Sequence, residues 1–264
     1  MRIWGKVLGF IFGFMLTRNI FGALIGLWLG HNFDKGRSFD FNQFSANNDA
    51  ERQAAFFYTT FSTMGYIAKA NGRVTQHEIA FAQSYMDKLG LNRELKQQAQ
   101  DAFREGKMAG FPLEERISAF KNSCRSRHDL LLLFLEIQIQ VAFADGQLDP
   151  QERSALHNVA QLLGFSSREL DKLLEMIIAG AQFHQQQSSQ GHNGGQQLEN
   201  AYKLLGVTKD MPIKEIKKAY KKLMAQHHPD KLVAKGLPPE MMDVAKQKTQ
   251  DIQAAYELIS AQKS

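Results

Sequence analysis

The chain has 264 residues, 44% hydrophobic and 22% charged, which supplies material for a core and excludes wholesale disorder. Lys and Arg number 32 against 27 Asp and Glu, and this net +5 implies no large nucleic-acid footprint unless it is concentrated somewhere. A single cysteine, Cys124, excludes an intrachain disulfide, a tetracysteine zinc site and a CxxC redox pair, and points to a reducing compartment. With six prolines and long stretches of 3.6-residue periodicity, the chain reads as all-α.

Residues 1–6 form a short polar tail, and from Val7 to Gly30 runs VLGFIFGFMLTRNIFGALIGLWLG. A bilayer core of ~30 Å needs about 20 helical residues, so the run is long enough for one transmembrane helix. A signal peptide has a shorter apolar region and a small-x-small cleavage site, and neither fits here. Trp4 and Trp28 flank the run at interfacial positions. Arg18 and Asn19 sit at its centre, where an arginine costs about 2.5–3.5 kcal/mol, but thirteen Leu, Ile, Phe and Val residues outweigh that cost. Gly5, Gly9 and Gly13 form one i, i+4 row, and Gly22, Gly26 and Gly30 form another. Such rows let two helices approach closely, and Arg18 lies one turn before Gly22, so the expectation is a homodimer through this helix. Charges on the two flanks nearly balance and leave orientation open.

After a juxtamembrane stretch at 31–49, helical periodicity resumes and continues over 50–183. Two related segments stand out, AKANGRVTQHE at 68–78 and AFADGQLDPQE at 142–152. Each closes one helix and opens the next. Gly72 and Gly146 suit the left-handed position, Thr75 and Asp149 suit N-caps with Glu78 and Glu152 completing capping boxes, and Pro150 suits a first helical position. Laid on a calcium loop, the second copy puts Val141 and Phe143 where oxygen ligands are required, so capping by Asp149 and Glu152 is expected, the alternative being an atypical metal site of Asp145, Asp149 and Glu152. The run from Leu130 to Phe143 is apolar on nearly every side and predicts a buried central helix, with Glu136, Gln138 and Gln140 arguing against a second span. His77, His128 and His157 are scattered and suit surface or packing roles. The repeat in an all-helical segment of this size resembles the TerB-like domain, which implies a helical interaction or sensing module.

Residues 184–198 are rich in Gln, Ser and Gly and read as a flexible tether. From Glu199 to the end come twelve lysines against eight carboxylates, a net +4, so nearly all the excess charge lies in this small module. Pro212 suits a helix start. Lys214, Lys217, Lys218, Lys221 and Lys222 then fall on one face, while Ile213, Ile216, Ala219, Tyr220 and Leu223 fall on the other. A second long helix over Asp243–Ser260 offers Val244, Ile252, Ala255, Tyr256 and Ile259 for packing, and a short helix near Ala201–Leu205 closes the core. Between the long helices stands His228-Pro229-Asp230, where proline ends helical geometry and pushes His228 to extended dihedrals.

AYKLLGV at 201–207, IKKAYKKL at 216–223, HPDK at 228–231 and IQAAYEL at 252–258 together resemble the J domain of the DnaJ co-chaperones. Thr249 departs from the phenylalanine common there. With an anchor and a TerB-like middle, the whole chain resembles the bacterial membrane-anchored DnaJ-like co-chaperones. That resemblance implies a non-enzymatic partner of a DnaK-class chaperone, without cofactor or nucleic acid. It also implies docking through His228, Pro229, Asp230, Lys231 and the five-lysine face, and stimulation of ATP hydrolysis and client capture. Because ATP and such a chaperone are cytoplasmic, residues 1–6 are expected in the periplasm and the bulk of the chain in the cytoplasm, across the inner membrane. No Gly/Phe-rich region follows the J domain. The alternative is an envelope-sensing adaptor in which the TerB-like domain dominates and the J domain only recruits the chaperone.

Overall fold

A computed structural model describes residues 49–263 apart from 71, 73–75, 125–126, 144–145 and 189–193. Residues 46–264 form one compact unit. The predicted anchor, its two glycine rows and Arg18 lie outside the described residues, among which no helix is long and apolar enough to cross a membrane. Among the described residues the fold is all-α, as the periodicity predicts: α1 (Asp49–Ala68), α2 (Gln76–Lys88), α3 (Arg93–Gly106), α4 (Leu113–Cys124), α5 (His128–Ala142), α6 (Pro150–Leu163) and α7 (Ser167–Ser188) make the middle domain. There follow α8 (Gly194–Leu204), α9 (Ile213–Gln226), α10 (Pro229–Lys235), a 3-10 turn (Pro239–Met241) and α11 (Met242–Lys263).

The central helix is α5, buried from Leu130 to Ile139 and again at Val141 and Ala142, including the polar Glu136 and Gln138. Gln138 reaches across to α1, donating to the Thr60 carbonyl at 3.2 Å. Phe56 of α1, Phe120 of α4 and Phe134 of α5 form a three-ring cluster with centroids 4.7–6.1 Å apart. Cys124 is fully buried beside them, and burial pushes its thiol up to about 12, so it is inert at neutral pH. Helices α1 and α3 cross at two glycines. A Cβ on Gly65 would lie 2.0 Å from the Phe103 carbonyl oxygen, and one on Gly106 would lie 1.8 Å from that of Ser62.

The second copy of the repeat is built as its sequence predicts. Asp149 accepts from the Gln151 amide at 2.7 Å, the Asp149 amide donates to Glu152 at 3.2 Å, and Pro150 opens α6. Gly72 and Gly146 both take positive φ, at +82° and +86°. In the first copy, Thr75 lies outside the described residues. Of the stretch expected as a tether at 184–198, both ends are helical, α7 continuing to Ser188 and α8 beginning at Gly194, while residues 189–193 lie outside the described residues. Glutamine tolerates helix well, and the apolar Phe183 and Leu198 on either side pack into a common core, which extends both helices into the polar stretch.

That smaller core gathers Phe183 of α7, Ala201, Tyr202 and Leu204 of α8, Ile216 of α9, and Ile252, Ala255 and Ile259 of α11. Ile213, expected on the packed face, is instead 42% exposed, because it is the first residue of α9 and lies beyond the end of the stripe. Residues 225–251 contribute nothing to this core; Leu232, Leu237, Met241 and Ala245 are buried in the larger core of the middle domain.

Gly65→Ala or Gly106→Ala is expected to destabilise by about 3 kcal/mol, since backbone atoms at the α1–α3 crossing cannot rotate away from a methyl group. Gly194→Ala, with nothing within 4 Å of its Cβ, serves as the neutral comparison. Denaturant midpoints measure both, and equal midpoints would mean that the crossing is loose.

Candidate functional site

Helix α9 begins after Pro212, whose φ of −64° and ψ of 147° leave the chain extended at the N-cap, with Glu215 in the first turn favouring the dipole. The five lysines of the predicted face, Lys214, Lys217, Lys218, Lys221 and Lys222, are all exposed. On the other side Ile216 is fully buried, and Tyr220 stacks on Tyr256 of α11 with centroids 4.3 Å apart and planes 15° from parallel. The lysines are thus carried on the exposed side of a helix fixed from behind.

The helix ends at His227, whose amide donates to the Leu223 carbonyl at 3.0 Å. His228 is extended, with φ −60° and ψ 120°, as the following proline requires. Pro229 does more than end helical geometry, because it is the first residue of the short helix α10. His228, Asp230 and Lys231 are exposed and Pro229 is half-buried. The tripeptide therefore presents an imidazole and a carboxylate to solvent at the end of the lysine-bearing helix. Helix α10 closes at Gly236 with φ +107°, and the Leu237 amide returns to the Leu232 carbonyl at 2.9 Å.

Directly before the exposed tripeptide lies a buried polar cluster that sequence patterning does not reveal. His227 is 1% exposed, with Nδ1 3.6 Å from Glu136 Oε2, and neither ring nitrogen has a hydrogen-bond partner. Lys248 of α11 approaches the other carboxylate oxygen of Glu136 at 3.8 Å. Burial pushes the His227 pKa below its ordinary value of 6.5, the Glu136 carboxylate opposes that shift, Lys248 adds to it, and Asp129 opposes it more weakly. Nearby, Arg52 of α1 donates from Nη1 to the Lys235 carbonyl at 3.5 Å and from Nε to that of Ser123 at 3.3 Å, while Lys235 pairs with Asp129. The one signal in the sequence is a glutamate and a glutamine on an otherwise apolar helix, which reads as evidence against a membrane span rather than as a contact.

The scattered histidines take the modest places expected of them. His128 lies over the Phe165 ring at 5.0 Å, His157 is 3.7 Å from Asp171, and His184 is 3.2 Å from Asp251. The side chain of His77 and all of Asp145 lie outside the described residues, among which no group of three His, Cys, Asp or Glu could hold a metal ion. Thr249, in place of the familiar phenylalanine, turns its hydroxyl to the Lys246 carbonyl at 2.8 Å.

A His-Pro-Asp turn at the end of a lysine-faced helix, itself packed on a second long helix, is the construction of a J-domain protein. Residues 200–264 match the DnaJ domain family, 58–175 match Tellurite resistance protein TerB, and 1–40 match the Co-chaperone DjlA transmembrane domain. Similar relatives are the Co-chaperone protein DjlA of Photobacterium profundum, 50% identical with 99% of each chain covered, and that of Escherichia coli K12, 48% identical over 100% of this chain and 99% of the relative. The Co-chaperone protein DjlA of Yersinia pseudotuberculosis is 46% identical over the same shares. No solved structure matches. The chain belongs to the DjlA family of co-chaperones.

Because His227 has a folded pKa below 6.5, its contribution to stability is complete above about pH 6.5 and is lost as pH falls below that value. Melting midpoints between pH 7.5 and 5 are expected to fall less steeply in His227→Leu than in the wild type. Identical slopes would mean that His227 titrates as it does in the unfolded chain.

Proposed function

We propose that this chain is a regulatory co-chaperone whose C-terminal module docks on the ATPase domain of a DnaK-class chaperone and accelerates ATP hydrolysis there, coupling it to client capture. The observation that carries the reading is the exposed His228-Pro229-Asp230 turn at the end of a helix with five exposed lysines. Hydrated ammonium groups on one face steer an acidic surface into encounter without a large desolvation cost. The turn gives specificity: Pro229 fixes the backbone, the Asp230 carboxylate suits a partner guanidinium, and Lys231 extends the positive surface. The co-chaperone names of the relatives favour this reading over a sensing adaptor, and the reading assigns the ATP hydrolysis to the partner and no catalytic step to this chain.

The transmembrane-domain match at 1–40 supports an anchor, here read as a single inner-membrane helix over 7–30 with its N-terminus in the periplasm and the remaining domains in the cytoplasm. Gly5, Gly9, Gly13, Gly22, Gly26 and Gly30 would let two copies approach along that helix, and Arg18 would find carbonyl or Asn19 partners on the second copy. No cofactor and no nucleic acid enters the mechanism; the chain's own side chains supply the whole docking surface.

In single-turnover ATP hydrolysis by a DnaK-class chaperone, the full chain is expected to raise the rate at least tenfold and His228→Gln to abolish the increase. Equal rates in all three conditions would refute the reading. Lys217→Glu combined with Lys221→Glu is expected to raise the half-saturating concentration about tenfold at low salt and less at high salt, where steering is screened. In a membrane association reporter, Gly22→Leu with Gly26→Leu is expected to weaken self-association; an unchanged signal would remove the glycine rows as an interface.

A further inference from the structure

We infer that the TerB-like domain positions the His-Pro-Asp turn for the chaperone, gripping the segment 227–245 from behind, with Glu136, Asp129 and Arg52 as positioning residues. The inference rests on the co-chaperone reading above and adds a task for the middle domain.

Four observations carry it. The first is where the segment is buried: Leu232, Leu237, Met241 and Ala245 are each fully buried in the core of the middle domain, whereas the J domain's own core takes no residue between 225 and 251. The second is the length of α10. A seven-residue helix is far below the ~12–15 residues at which an isolated helix becomes even marginal, so its order comes from what it packs against, α11 of its own module on one side and α5 of the middle domain on the other. The third is the set of polar contacts that cross between the domains. His227 and Lys248 converge on Glu136, Lys235 pairs with Asp129, and Arg52 bonds to the Lys235 carbonyl. Gly236 allows Arg52 to lie across the end of α10, since a Cβ there would be 2.6 Å from Arg52 Cδ.

The fourth observation decides between positioning and masking. Buried anchors stand immediately before the tripeptide at His227 and two residues after it at Leu232, yet His228, Asp230, Lys231 and the five lysines of α9 are all exposed. The middle domain holds the turn by its back and leaves its front open. Held this way, the turn need not be ordered when the partner arrives, and the competent conformation is the populated one. The lysine face is fixed independently by α11, so it supplies encounter whether or not the turn is held.

The consequence is a split between maximal rate and half-saturation. Lys235→Asp and Asp129→Lys each oppose like charges at a partly exposed pair, and the double variant restores opposite charges in the reverse order. With the full chain and a DnaK-class chaperone, each single variant is expected to lower the maximal stimulated ATPase rate three- to tenfold. The half-saturating concentration should stay within twofold, and the double variant should recover most of the rate. Amide hydrogen exchange should quicken over residues 229–241 in the single variants and remain slow across α5, which separates a released turn from an unfolded domain. Quickened exchange with an unchanged or higher maximal rate would overturn the inference, the higher rate meaning that the contact masks the turn. Unchanged exchange would also overturn it. A wild-type chain that gives no stimulation, or stimulates no more than His228→Gln, refutes the co-chaperone reading itself; wild-type stimulation that survives in the single variants refutes only the positioning role.

Discussion

Glu136 is an acidic side chain at 2% exposure in α5, the central helix of the described fold, and a polar group in that position is tolerated only where it meets partners. Both ionisable groups that approach its oxygens, His227 and Lys248, belong to the C-terminal module. The middle domain therefore carries a polar site that the J domain completes. Around it, Leu232, Leu237 and Met241 supply apolar burial that the polar contacts alone would not provide, because desolvating polar groups offsets much of their attraction.

This arrangement divides the J domain between two cores. Helices α8, α9 and the later part of α11 close on Phe183, which the last long helix of the middle domain delivers, so even the smaller core depends on a residue from outside the J-domain match at 200–264. The turn and α10 close on the larger core. A face of α9 remains uncovered, and it is the face with five lysines. Burying these lysine ammonium groups would cost their hydration, which is why packing leaves that side of α9 exposed.

Much of this was legible in the residues. The Asp149–Glu152 capping box, Pro150 and the left-handed Gly146 are local features, set by backbone hydrogen bonding within a few positions, and they form as the pattern dictates. The same holds for the lysine stripe, for Ile216 on the opposite face and for the extended His228. Composition does not reveal the helical ends of the polar stretch at 184–188 and 194–198, because it reports solubility, whereas helix continuation there depends on Phe183 and Leu198 finding a shared core. Glu136 sits on the helix expected to be central and buried, but nothing near it in the sequence names its partners, which lie about ninety and a hundred and ten positions later.

The sequence by itself determined the helical periodicity, the basic face and the extended tripeptide, because each is written in spacings of three or four residues and in the dihedral limits of proline and glycine, while the identity of the modules came from resemblance to known families. The tertiary structure decided which core buries the segment after the tripeptide, that α1 and α3 touch through Gly65 and Gly106, and that His227 meets Glu136. Those are pairings between residues far apart along the chain. Their energies depend on shape and desolvation in three dimensions, which no local pattern encodes.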